Sequence, residues 1–184
     1  MTTREQIIQS ADKLIRENGY NAFSFFDISN IVGIKKASIH YHFPQKSDLG
    51  VAVIEEHISR LRSAIDKCKD KGPTEKLDVF ISIYSKARTE NKICIVGSIA
   101  TDINTVEENM KTRLKELTSL ILEWVMSFLE DGRNEKIFHF EGSGREKALM
   151  VITNLLAIVQ LSRVTGDEDF NIVKNKIKQD LLRE

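Results

Sequence analysis

The stretch from Phe25 to Leu49, FFDISNIVGIKKASIHYHFPQKSDL, constrains the fold more than any other part of the sequence. Ser24 is a good N-cap residue, and Asp27 three positions on completes a Ser-x-x-Asp capping box, so a helix starts here. Ile28 and Val32, four apart, give that helix one apolar face. Gly33 ends it, because a glycine just past a helix takes the left-handed turn at little steric cost. Ile34 anchors the turn. Lys35 to Tyr41 predict a second helix, with Ile39 and Phe43 spaced to pack back on the first and Pro44 stopping it. Two short helices across a glycine turn make the helix-turn-helix pattern, whose second helix lies in the major groove of DNA.

The flanking sequence reads as helices that support this unit. Thr3 to Asn18 carries Ile7, Ile8, Ala11, Leu14 and Ile15 on one face; Thr2 or Thr3 caps it and Gly19 stops it. Its apolar face is needed, because two short helices alone bury too little to be stable. A long connecting helix is expected from Ser47, its cap, to Asp70, with Leu49, Val53, Ile54, Ile58, Leu61 and Ile65 as its buried stripe. Helices follow over 75–90, 104–130, 145–165 and 167–182, with a short buried one within 93–103. Residues 131–144 read as a loop whose Ile137 to Phe140 packs down. The helix over 145–165 is apolar nearly all round, so it requires a neighbour on a second side, which a partner subunit can supply. The expected architecture is all-α. A three-helix DNA-binding domain occupies 1–46 and a helical domain 47–184, with 47–71 as the connecting helix.

Composition narrows the function. Lys plus Arg and Asp plus Glu both number 27, so the molecule is not basic throughout, and DNA binding needs a local basic face. Only 2 prolines and 9 glycines favour helices over strands and turns. Cys68 and Cys94 are isolated, which implies neither a zinc site nor a disulfide framework. With no apolar leader and no stretch of bilayer-spanning length expected, a reduced cytoplasmic protein is the simplest reading. An enzyme needs a nucleophile–base pair, a metal set or a phosphate loop. Gly142-Ser143-Gly144 lacks the surroundings of either a nucleophile elbow or a phosphate loop, and Ser47 and Ser98 have no sequence-level partner. No catalytic residue, metal site or cofactor is expected.

Gly19-Tyr20, Asp27-Ile28-Ser29, Val32-Gly33-Ile34, Ser38 to Phe43 and Lys46 to Leu49 together resemble the N-terminal domain of the tetracycline-repressor (TetR/AcrR) family of bacterial regulators. The resemblance covers about Arg4 to Val53, and Phe-Pro-x-Lys directly after a helix-turn-helix is a specific combination. Ala37 and Ser38 stand where the family often has Gly and Thr, and Phe23 and Phe26 replace residues often small or polar there. The rest of the chain matches in architecture. The resemblance implies a homodimer through the last two long helices and a small-molecule effector bound by the C-terminal helices. It also implies a connecting helix that relays the signal, and repression as the usual outcome.

Base edges would be read by the second helix and phosphates by groups around it. Lys35 and Lys36 stand at its N-terminal end, where Lys36 can donate to guanine. Ala37 can meet a thymine methyl, and Ser38 and His40 face away from Ile39 and Phe43. Tyr41 and His42 resemble the family's backbone-holding positions, although a histidine at a helix C-terminus equally meets free carbonyls. Lys46 resembles the family's phosphate-binding lysine, whose removal weakens binding on all sequences alike. Ser24 can hold a phosphate or act only as a cap. Candidate effector contacts are Phe80, Tyr84, Cys94, Trp124 and Phe128, which helical spacing fits equally to a packed core. His57, His139, Glu55 and Glu56 are further polar candidates. The rival reading is a helix-turn-helix regulator that answers to a protein partner or to no small molecule.

Overall fold

Capping chemistry sets the helix boundaries in the computed structural model, which describes residues 1–182. Helix α1 (Thr3–Asn18) starts on a reciprocal box: Thr2 N donates to Glu5 Oε2 at 2.7 Å and Glu5 N to Thr2 Oγ1 at 3.3 Å. Helix α2 (Phe25–Val32) starts where the Asp27 carboxylate accepts from both Ser24 N and Ser24 Oγ, at 2.7 and 2.8 Å. It ends at Gly33, whose φ of 74° is the left-handed turn the sequence required. Helix α3 (Lys36–His42) follows at once. Helix α4 (Lys46–Lys67) begins one residue earlier than expected. Its cap is Gln45 N donating to Asp48 Oδ2 at 2.9 Å, while Ser47, expected as the cap, sits inside the helix and is buried.

Five further helices follow among the described residues: α5 (Pro73–Thr89), α6 (Ile95–Thr101), α7 (Glu108–Asn134), α8 (Gly144–Thr165) and α9 (Asp167–Leu182). All regular structure among the described residues is helical. Helix α7 runs past the expected loop start at 131. Gly132 lies within it because the Phe138 ring, fully buried, occupies the space a β-carbon would fill. Ile137 N and Phe138 N both donate to the Gly132 carbonyl, at 2.8 and 2.9 Å, so the chain folds back sharply over its own helix end.

The chain forms two compact units. The first comprises Met1–Arg60 with Cys94–Thr118. Its core holds Ile7, Ile15, Ile28, Ile39, Leu49, Val53, Ile54, Ile99 and Met110, all fully buried. Burial of each such side chain contributes about 1.5–3 kcal/mol, so α1 to α3 are not left to support themselves. Helix α6 joins them through Ser98 Oγ, which donates to the Ile15 carbonyl. Asn21 reaches Asp102 and Thr105, and the end of Met110 lies against Gly50.

The second unit comprises Leu61–Ile93 and the chain from Ser119 onward. Helix α8 packs on α5 and on α9 here, burying Ala148, Val151, Leu155, Ile158 and Val159. The expectation that no stretch is long enough to span a bilayer needs correction: α8 is long and apolar enough by length and composition. Its packing on α5 and α9 goes with burial of 33% of that span. Leu149, Met150, Leu161 and Val164 are exposed.

Candidate nucleic-acid interface

Helix α3 is held by one buried face. Ile39 is fully buried and Phe43, just past the helix end, nearly so, against Phe25 and Ile28. The ring of His40 meets Phe25 edge-on at 4.9 Å, and its Nδ1 lies 3.3 Å from the Pro44 carbonyl. His40 is exposed yet tied to the fold on two sides. The opposite face runs Lys35, Lys36, Ala37, Ser38 and Tyr41, all exposed. Tyr41 is 85% exposed, so the fold itself makes little use of its ring. Two cations, a methyl, a hydroxyl and a phenol on one short helix are the groups that contact base edges and phosphates in a groove.

His42 is half-buried, with its ring 5.2 Å from that of Tyr41. It lines an open cleft of about 580 Å³ together with Arg4, Asp48 and Arg113. Arg4 stands in the first turn of α1 with its guanidinium 5.1 Å from the centre of the Phe43 ring. No sequence motif marks Arg4; only the folding of α1 against the end of α3 places it beside the recognition helix.

Two expected phosphate contacts have partners within the fold. The Ser24 hydroxyl donates to Asp27, and the Ser24 hydrogen bonds hold the Asp27 carboxyl below its ordinary range, so this pair is a helix cap. Lys46 points its Nζ at the Phe23 carbonyl, 2.6 Å away, and stands over the rings of Tyr20 and Phe23 at 4.5 and 4.3 Å. Burial pushes its pKa below the usual lysine value, against the pull of Asp102, Glu107 and Asp27. Phe23, a departure from the family pattern, is buried as part of this clasp, whereas Phe26 is exposed.

Among the effector candidates, Phe80, Tyr84, Trp124 and Phe128 come together in the second unit. Phe80 is the hub, with ring centres 5.3 Å from Tyr84, 5.9 Å from Trp124 and 6.3 Å from Phe128. All four are buried. Cys94 belongs to the first unit, half-buried at the start of α6. The polar candidates have partners of their own. His57 Nε2 lies 2.6 Å from Asp12, Glu55 pairs with Arg113, and Glu56 with Arg60. His139 donates its backbone N–H to the Leu181 carbonyl at 2.7 Å. Among the described residues no group of three His, Cys, Asp or Glu gathers to hold a metal.

Residues 7–53 match the family described as bacterial regulatory proteins, tetR family. A TetR transcriptional regulator from Legionella pneumophila is 34% identical over 98% of both chains, with a TM-score of 0.88. The chain belongs to the TetR family. A second TetR-family regulator, from Agrobacterium tumefaciens, is 26% identical over 98% of this chain and 97% of that one, with a TM-score of 0.91. The chain also matches IcaR of Staphylococcus epidermidis, the negative regulator of a biofilm operon, at 41% identity over 46 residues, 25% of each chain. Alignments with the first curated relatives span only 63% and 45% of those proteins' lengths. The family is one of transcriptional regulators and not of enzymes, in keeping with a sequence that offers no catalytic set.

Proposed function

We propose that this TetR-family chain is a cytoplasmic repressor that binds a pseudo-palindromic operator as a homodimer and is released by a small-molecule effector. The observation that carries the reading is the exposed run of Lys35, Lys36, Ala37, Ser38 and Tyr41 on a helix pinned from behind by Ile39 and Phe43. Rigid support matters, because base readout requires donors placed to within a fraction of an ångström. In this reading Arg4 and His42, beside the end of α3, meet the phosphate backbone. For the dimer, Met150, Asn154, Ala157, Leu161 and Val164 recur on α8 at alternate spacings of four and three. Met150, Leu161 and Val164 are exposed there, with Ile172 of α9. Such a stripe is the pattern by which two helices from different subunits pack. A dimer must then hold its two α3 helices about 34–36 Å apart, and an effector acts by favouring a state with a different spacing. The aromatic cluster around Phe80 is the effector site in this reading.

The test is fluorescence anisotropy of the purified chain on DNA flanking its own gene, with excess competitor, at two salt concentrations. Saturable binding that resists competitor is expected. Lys36→Ala should change the preference among operator variants by about 1–3 kcal/mol at one base pair. An unchanged preference would remove α3 as the reading element.

A further inference from the structure

Arg88 carries a buried nitrogen with nothing to bond. Among the described residues its Nε is the buried side-chain polar atom that finds no hydrogen-bond partner. The rest of the guanidinium is engaged: Nη2 donates to the Ser162 carbonyl at 3.1 Å and lies 2.6 Å from Asp167 Oδ1. An unpaired buried N–H is costly, and in a folded protein such a group calls for a physical explanation, a bound water or ion among them. Arg88 stands on α5 four residues beyond Tyr84 and eight beyond Phe80, so the three share one face of the helix. Phe80 and Tyr84 belong to the aromatic cluster with Trp124 and Phe128, in the same compact unit.

We infer that the effector is an apolar or aromatic carboxylic acid, whose carboxylate accepts from Arg88 Nε and whose body replaces contacts among the four aromatic rings. The inference rests on the effector-responsive reading above. Small-molecule sites are largely apolar, with a few placed polar groups that fix orientation, and this arrangement has both parts. A planar guanidinium matches a carboxylate edge to edge. Asp167 already pairs with Arg88, so a carboxylate balances the guanidinium by displacing Asp167, whose side chain is largely exposed. A phosphate, carrying nearly two charges, calls for a second cation, and the other charged group at Arg88 is the acidic Asp167.

The same arginine explains how such a ligand is felt. Through Ser162 and Asp167, Arg88 ties the last turn of α8 to the first turn of α9 across Gly166. An incoming carboxylate competes with Asp167 for the guanidinium. It therefore acts on the corner between the two helices assigned to the dimer.

Trp124 is the chain's one tryptophan and lies inside the cluster, so its emission reports occupancy without any DNA. The purified full chain is titrated with phenylacetate, 3-phenylpropionate and octanoate, each beside its primary amide. At least one acid should shift Trp124 emission saturably and bind tenfold or more tighter than its amide. Arg88→Gln should bring the acid down to the level of the amide. Arg88→Lys, which keeps the charge but lacks the Nε edge, should retain part of the preference and serves if Arg88→Gln fails to fold by far-ultraviolet circular dichroism. Equal binding of acid and amide, no binding of any acid, or an undiminished preference in the folded variants each overturns the inference. Saturable binding of amides alone removes the acid class and leaves the effector site. An acid that binds through Arg88 yet leaves operator affinity unchanged confirms the site and removes the effector-responsive reading instead.

Discussion

The Asp12 carboxylate of α1 lies 2.6 Å from His57 Nε2 of α4 and 3.7 Å from Arg16, with little of either side chain of the His57 pair open to solvent. Burial alone pushes the Asp12 pKa up. The His57 hydrogen bond, then the charges of His57, Arg16 and Arg60, outweigh it and hold the carboxyl below its ordinary value. A carboxylate whose folded pKa is depressed contributes stability above its unfolded pKa and loses it as pH falls through the folded one. Asp12→Asn should therefore cost about 1.5–3 kcal/mol near pH 7, the worth of a hydrogen bond to a charged group. It should also flatten the pH dependence of stability below the ordinary aspartate range. Urea unfolding at a series of pH values checks both, and parallel wild-type and variant curves would show that Asp12 plays no part in the acid response.

At the scale of the element, the start of α4 is a clasp. Lys46 reaches back to the Phe23 carbonyl between two aromatic rings and so fixes the loop that leads into α2. An ammonium held this way works through the position of the helices more than through a phosphate of its own. Lys46→Ala should lower the melting midpoint by several degrees, consistent with loss of a charged hydrogen bond in a small domain. A plain phosphate lysine would behave differently: the midpoint would stay and the log–log salt slope would fall by about one. Thermal melts and salt titrations on one pair of proteins separate the two outcomes. The Phe-Pro-x-Lys pattern of the sequence singled out Lys46. It did not say which way the side chain turns, because Tyr20 and Phe23 become its neighbours only when α1, α2 and α4 pack together.

At the scale of the molecule, the proposed homodimer rests on the exposed apolar stripe of α8. Leu161 is 55% exposed and Val164 87%, more apolar surface than a helix with no further partner gains by showing. Leu161→Glu should convert a dimer to a monomer in sedimentation while leaving the helical circular dichroism intact, and should reduce operator affinity at least a hundredfold through loss of the second half-site. A variant that remained dimeric would place the interface elsewhere.

The sequence by itself determined the local features: the caps at Thr2 and Ser24, the left-handed turn at Gly33, the helix periods, and the residues α3 leaves exposed. Each depends on backbone geometry and neighbours within about four positions, so a linear reading reaches it. Tertiary structure decided the rest. It gave α6 and the start of α7 to the first unit through Ser98, Asp102 and Met110. It extended α7 past 131 because Phe138 folds onto Gly132. It drew Lys46 inward, brought Arg4 beside Phe43, and left Arg88 Nε buried without a partner. These outcomes turn on which distant side chains share one volume, and that is fixed only when the apolar faces close on one another.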